Sequence, residues 1–181
     1  MWILIPSVIA LWAVFVFNRL VSLRARVKSA WSDIDVQLRR RHDLIPVLID
    51  AVKGYMAYER LTFEAVTAAR EAAMSGSQDV ASRAIAESRL TKALTVLLAR
   101  VEAYPALRAS ENALMLQEEL TSTENRIAFA RQHFNDCVMS YNTKIGSFPA
   151  ILIAGRTGFK SEPFFQIGEA SRAPAKVNLE R

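Results

Sequence analysis

Apolar positions along this chain follow two regimes. Residues 2 to 17, Trp-Ile-Leu-Ile-Pro-Ser-Val-Ile-Ala-Leu-Trp-Ala-Val-Phe-Val-Phe, carry no charge at all, and Arg19, Arg24, Arg26 and Lys28 follow at once. From Leu20 onward the pattern changes. Leu20, Leu23, Val27, Ala30, Ile34 and Leu38 recur at alternating intervals of three and four, the seam of a helix packed on other helices.

That seam predicts four helices beyond the leading run. The basic stretch Arg39-Arg40-Arg41-His42 is expected to end the first, since cations suit the last turn of a helix dipole. Asp43 is then expected to cap a second helix, with Pro46 in its first turn, where a missing N–H costs little. Leu44, Leu48, Ala51, Tyr55, Tyr58, Thr62, Val66 and Ala69 carry the second seam towards Met74, and Ser75-Gly76-Ser77 stops it. A third helix is predicted from about Asp79 to Ala103, with Leu90, Leu94, Leu97 and Val101 inward. Tyr104-Pro105 breaks it, because a residue before proline resists helical dihedrals. The fourth has Leu116, Leu120, Thr123, Ile127, Ala130, Phe134, Cys137 and Tyr141 on its seam, and closes at Gly146 and Pro149. Short connections between long helices favour antiparallel neighbours. The expected fold class is therefore all-α: an N-terminal transmembrane helix (residues 1–23), an antiparallel four-helix bundle (24–149) and a tail (150–181), apolar and then disordered.

As a helix the leading run is about 24 Å long, a little short of a hydrocarbon core of about 30 Å. Extension through Leu23, with Arg19 snorkelling to the headgroups, brings it to spanning length. A cleaved signal peptide would want a basic segment before the run and a small-x-small cleavage site. No Lys or Arg precedes it, and Val21-Ser22-Leu23-Arg24-Ala25 is a poor site, so an uncleaved anchor is expected. Trp2, Trp12, Phe15, Phe17 and Arg19 are its anchoring residues. All nearby basic residues lie C-terminal to the span, which places the rest of the chain in the cytoplasm.

Of the 181 residues, about 160 lie outside the anchor, enough for one domain with a substantial core. Six Gly and six Pro argue against a strand-and-turn protein, and a lone Cys137 excludes an internal disulfide framework. A net charge of +5 raises the question of nucleic acid. Acidic residues are interspersed among the basic ones, however, and no aromatic-basic RNA motif is present, so no nucleic-acid partner is expected. Attraction to an anionic inner leaflet accounts for the juxtamembrane excess.

Several longer motifs carry a resemblance. Gln37-Leu-Arg-Arg-Arg-His-Asp-Leu-Ile-Pro46, Val52-Lys-Gly-Tyr55, Glu102-Ala-Tyr-Pro-Ala-Leu107 and Leu116-Gln-Glu-Glu-Leu-Thr121 resemble the LemA family. Glu124-Asn-Arg-Ile-Ala128, Tyr141-Asn-Thr-Lys144, Ser147-Phe-Pro149 and Gly158-Phe-Lys160 extend the match to about Phe165. The resemblance implies an N-terminal membrane helix and an antiparallel helical bundle. It brings no catalytic activity. It does imply an accessory role beside a membrane or envelope protein, membrane zinc metalloproteases being one class. Val47 stands where the family pattern leads one to expect Asn, and Phe134 where it leads one to expect Tyr; each removes a polar group.

Catalytic chemistry finds little support. A di-metal bundle centre needs two Glu-x-x-His pairs, but Arg39 precedes His42 by three and Ala130 precedes His133 by three. There is no zinc motif, no Gly-rich phosphate loop and hence no expected cofactor. Cys137 and His133 are four apart on one helix, yet Cys137 sits on the apolar seam and is expected to be a buried, inert thiol.

Arg39, Arg40, Arg41 and His42 form the sharpest surface feature. They read either as helix capping with ion pairs to carboxylates such as Asp43, or as a docking site for an anionic or protein partner. Lipid is not that partner, since Arg40 lies about 30 Å along a helix beyond the membrane exit, against a Debye length of about 8 Å. Arg131, Asn135, Val138 and Asn142 flank the fourth seam as a register-fixing stripe or a ligand groove. The tail joins Phe148, Ile151, Leu152, Phe159, Phe164 and Phe165 with Arg156 and Lys160 between them. It is expected either to touch the inner-leaflet interface or to cover the open bundle end. Together these features describe a single-pass inner-membrane protein acting as a non-catalytic scaffold or adaptor, with self-association open to it. A ligand-sensing domain with a pocket in the bundle is the alternative.

Overall fold

The structure, a computed structural model, describes residues 4–75 and 79–166. Among these, six helices and no strand occur: α1 (Leu4–Val52), α2 (Arg60–Ser75), α3 (Val80–Glu102), α4 (Pro105–Arg108), α5 (Glu111–Gly146) and α6 (Ala150–Thr157). The all-α expectation holds. Disorder is expected after Ser161, but Glu162 is hydrogen-bonded by Asn142 and Phe165 is buried. The rest of that stretch, from residue 167, lies outside the described residues, as do Gly76 and Ser77.

The first departure from expectation is α1. It does not stop at Arg39–His42; it continues unbroken for 49 residues, with Pro46 inside it. Asp43 is therefore mid-helix and caps nothing. The reason lies in the seam. Leu38, Arg41, Ile45, Leu48 and Val52 are all buried, at the same alternation of three and four that runs from Leu20. An interior proline costs about 3 kcal/mol, whereas each large apolar side chain held in the core contributes about 1.5–3 kcal/mol. Pro46 itself faces outward, so its ring meets no packed neighbour on the seam side.

The helix ends instead at Val52, where Gly54 follows and the backbone turns through residues 53–59. Tyr55 and Met56 both donate their amides to the Val52 carbonyl, at 3.0 and 3.2 Å, and Glu59 donates to Met56. Met56 is fully buried and pins the turn. Tyr55 and Tyr58, expected on the seam of a continuous second helix, are thrown outward by this bend. Gly54, a poor helix former, stands just past the helix end, but its φ is not in the left-handed region and it is not a left-handed cap.

The chain forms two compact units. One holds the N-terminal stretch through Ile45 with Leu116–Phe164; the other holds Pro46–Met115 and Phe165. Within the first, α1 and α5 run antiparallel: Trp31 packs on Phe134 with ring centroids 5.4 Å apart, while Arg40 and Arg41 meet Glu119 and Glu124. Higher numbers on α1 meet lower ones on α5. Leu120, Thr123, Ile127, Phe134, Val138 and Tyr141 are the buried face of α5, so Val138 is a core residue and not part of a polar stripe.

In the second unit α2 and α3 form an antiparallel hairpin. Asp79 caps α3 by accepting the Ser82 amide at 2.9 Å. Its carboxyl is held below the usual value by that hydrogen bond. Leu90, Leu94, Leu97 and Val101 are buried, as the periodicity predicts. Glu59, just before α2, meets Arg100 at 3.6 Å and accepts from the Tyr104 hydroxyl at 3.4 Å, so the hairpin closes at that end. Tyr104 is extended before Pro105, as expected.

Candidate functional site

The basic cluster at residues 39–42 divides in two. Arg39 and Arg40 point outward and pair with Asp35 (2.7 Å) and Glu119. Arg41 and His42 lie on the inner face of α1, 1% and 5% exposed. They are therefore not a docking surface, and the four residues do not act together. A helix advances 100° per residue, so four consecutive side chains cannot share one face. Arg41 belongs to a buried ionic group instead. Its guanidinium donates to the Glu124 carboxylate across to α5, and Arg131 stands within electrostatic reach of both. Burial pulls the Arg131 pKa down, Arg41's charge adds to this, and Glu124 opposes it.

The Arg131–Asn142 stripe also separates. Asn142 brackets the chain beyond α6: its Nδ2 donates to the Glu162 carbonyl and its Oδ1 accepts the Glu162 amide, both at 2.9 Å. The buried Tyr141 hydroxyl donates to the Lys160 carbonyl at 2.9 Å. Burial raises the Tyr141 pKa, against the pull of Arg24's charge. These bonds fix the position of the tail rather than line a groove.

Cys137 is only partly buried, because Val138 takes the seam position. Its Sγ lies 3.8 Å from His133 Nε2. Burial nevertheless raises the thiol pKa, outweighing the positive charge of Arg26 and reinforced by Asp136. A nucleophilic cysteine needs the opposite shift. Alkylation by iodoacetamide at pH 8 is expected to run several-fold slower than for glutathione and to catch up only at higher pH. A rate equal to or above that of the free thiol would contradict this. Among the described residues, no group of three or more His, Cys, Asp or Glu is placed to hold a metal ion.

Of the anchoring residues, Trp2 lies outside the described ones. Trp12, Phe15, Phe17 and Arg19 are exposed on α1, with Ile5, Val8, Ile9, Leu11 and Val14. Among the described residues, α1 is the one helix long and apolar enough to cross a membrane, by length and composition. The tail residues are not equivalent. Phe148, Ile151, Leu152 and Phe164 are exposed, Phe159 is partly buried against α1, and Phe165 is buried, so it offers nothing to a lipid surface. The cluster that sequence reasoning missed is at the bend. Tyr55, Tyr58 and Leu61 are 54%, 98% and 75% exposed within seven residues. Gly54 was the signal: a stop there takes both tyrosines off any helical seam.

The sequence profile of the LemA family matches residues 30–179. The chain belongs to the LemA family. Protein LemA of Metamycoplasma hominis is 25% identical over 155 residues, covering 86% of this chain and 71% of the relative. Magnetosome protein MamQ 2 of Paramagnetospirillum magneticum is 25% identical over 183 residues, covering 87% and 67%. Magnetosome protein MamQ of Magnetospirillum gryphiswaldense matches with the same identity and coverage. Several of the LemA-type motifs in this chain fall where the backbone turns. Val52–Tyr55 is the bend after α1, Glu102–Leu107 spans the α3–α4 break, and Ser147–Pro149 joins α5 to α6. Gly158 closes α6 in the left-handed region at φ 76°, where a side chain would be strained. Of the two departures from the LemA pattern, Val47 is exposed and Phe134 is buried against Trp31.

Proposed function

We propose that this LemA-family chain is a single-pass protein of the bacterial inner membrane, its helical units cytoplasmic, working as a non-catalytic scaffold for another membrane or envelope protein. The uncharged leading run of α1 and the basic residues after it support the anchor and its orientation. The observation that carries the scaffold reading is the exposed apolar and aromatic cluster Tyr55–Tyr58–Leu61. Tyrosines held outward on a turn pinned by a buried Met56, with Leu61 outward on the first turn of α2, cost little ordering entropy on binding, which is how a protein-binding anchor works. Lys53 (salt-bridged to Asp50) and Arg60 (to Glu64) give this patch a charged rim. A membrane metalloprotease is one class of partner that fits.

Photo-crosslinking in cells tests it, with a photoreactive residue at position 58. The expected result is one discrete heterologous adduct in the membrane fraction, reduced about ten-fold by Tyr55→Ser with Leu61→Ser, as loss of two anchor contacts implies. Adducts of the chain with itself alone would replace the scaffold by self-assembly. No adduct would remove the reading.

A further inference from the structure

The short helix α6 is built inside out for a water-soluble fold. Its small residues face the protein: Ala150 and Ala154 are buried and pack on Val16 and Leu20 of α1. Of its large residues, Ile153 is partly buried beside these alanines and the other two face away. Ile151 and Leu152 are about half exposed and Phe148, just before the helix, is 81% exposed. On helical spacing, Ile151, Leu152 and Gly155 occupy one arc of about 100°, with Arg156 at its edge. A helix covering a core in water buries its leucines and isoleucines. Helices that meet in lipid do the reverse: small residues allow close approach, and branched ones fill the hydrocarbon side.

The place where α6 docks points the same way. Val16 is the buried contact deepest in the uncharged run, about 12 Å along α1 from Arg24. Phe159, just past α6, meets Phe17 edge-on with ring centroids 5.7 Å apart. The contact is held from behind by the Asn142–Glu162 and Tyr141–Lys160 hydrogen bonds, and Arg24 lies 3.9 Å from Glu162. If the leading run sits in a bilayer, whatever packs on its residues 16–20 shares that depth.

We propose that α6 is a second membrane element, a foot that enters the leaflet on the side of the helical units and lies against the anchor. Its occupant is lipid: acyl chains against Phe148, Ile151 and Leu152, and anionic headgroups against the exposed Arg156 and Lys160. Eight residues make a helix of about 12 Å, well short of the hydrocarbon thickness, so it enters one leaflet and does not span. The foot turns a single flexible point of attachment into a two-element seat that fixes the rotation of α1 about its own axis. This inference rests on the anchor reading above, and its test separates the two.

Single-cysteine variants of the full chain, made on Cys137→Ser, carry an environment-sensitive fluorophore at Phe15→Cys, Leu152→Cys or Phe129→Cys. They are reconstituted in vesicles of phosphatidylethanolamine and phosphatidylglycerol containing nitroxide lipids. Positions 15, 152 and 129 are all exposed, so each label is tolerated without disturbing packing. Expected is quenching at 15 and 152 that exceeds that at 129 by about three-fold or more, with 152 quenched best by headgroup-proximal nitroxides. Quenching at 15 with 152 no different from 129 overturns the foot and leaves the anchor standing. Quenching at none of the three overturns both.

Discussion

Glu124→Ala is expected to destabilise the α1–α5 pair by about 2–3 kcal/mol, below the range of about 3–5 kcal/mol for a fully buried ion pair because Glu124 is partly exposed. Arg41 is 1% exposed and donates to Glu124, while Arg131 stands beside both. Losing the carboxylate takes that anion from the buried Arg41 guanidinium and leaves it under the positive charge of the half-buried Arg131. Arg41→Met is expected to cost less, about 1–2 kcal/mol. Methionine keeps the apolar stem's packing, and Glu124 retains both Arg131's charge and partial access to solvent. The order of the two variants is the informative part. It is read by urea unfolding of the detergent-solubilised chain, followed by circular dichroism. Equal losses, or a Glu124→Ala loss below about 0.5 kcal/mol, would show that the pair is not held as described. Reversing Arg41 to a carboxylate is no probe of docking, because it would set two acids together in the core. Partner binding through the basic cluster is tested at Arg39 and Arg40 alone.

Leu11→Lys with Val14→Lys is expected to remove the chain from membranes. Each lysine near the middle of a spanning helix costs about 2.5–3.5 kcal/mol on insertion scales, so the pair lowers partition by several powers of ten. Neither residue packs against the protein, both being exposed on α1. The helical units should therefore keep their far-ultraviolet signature while the protein leaves the alkali-washed pellet. Retention of the double variant in that pellet would mean that something other than the leading run holds the chain there. A matched pair on the exposed face of α5, Phe129→Lys with Met139→Lys, should leave the pellet fraction unchanged.

Much of this fold is legible from spacing alone. The α3 helix, four of its six buried residues and the break at Tyr104–Pro105 follow from periodicity and the restriction a proline puts on the residue before it. So do the end of α5 at Gly146 and the all-helical class. At residues 39–46 local punctuation and periodicity conflict, and periodicity prevails. Four basic residues followed by Asp43 and Pro46 look like the end of one helix and the start of the next, yet the seam from Leu38 to Val52 never changes phase. The boundary falls at Val52, and Gly54 two residues on is the poor helix former that marks it in the sequence. A boundary at that local punctuation would put Arg41 and His42 on the surface and Tyr55 and Tyr58 in the core, the reverse of what is found. Which residues of a charged run face inward is decided by phase, and phase is set by the whole helix.

The chemistry of the tail was only half legible. Composition marks Phe148–Phe165 as apolar, aromatic and basic, but cannot say which aromatics point in. Phe165 is buried, Phe159 leans on Phe17 and Phe148 stands free because Asn142 and Tyr141 clasp backbone atoms some twenty residues further on. Hydrogen bonds from side chain to distant backbone leave no periodic trace in a sequence.

A membrane-impermeant maleimide applied to the Cys137→Ser, Phe129→Cys chain in right-side-out spheroplasts, against inverted vesicles, is the most direct test of an anchored protein facing the cell interior. Labelling of the pelleted protein is predicted in inverted vesicles only. Labelling in spheroplasts, or recovery of the chain in the soluble fraction, would contradict the account.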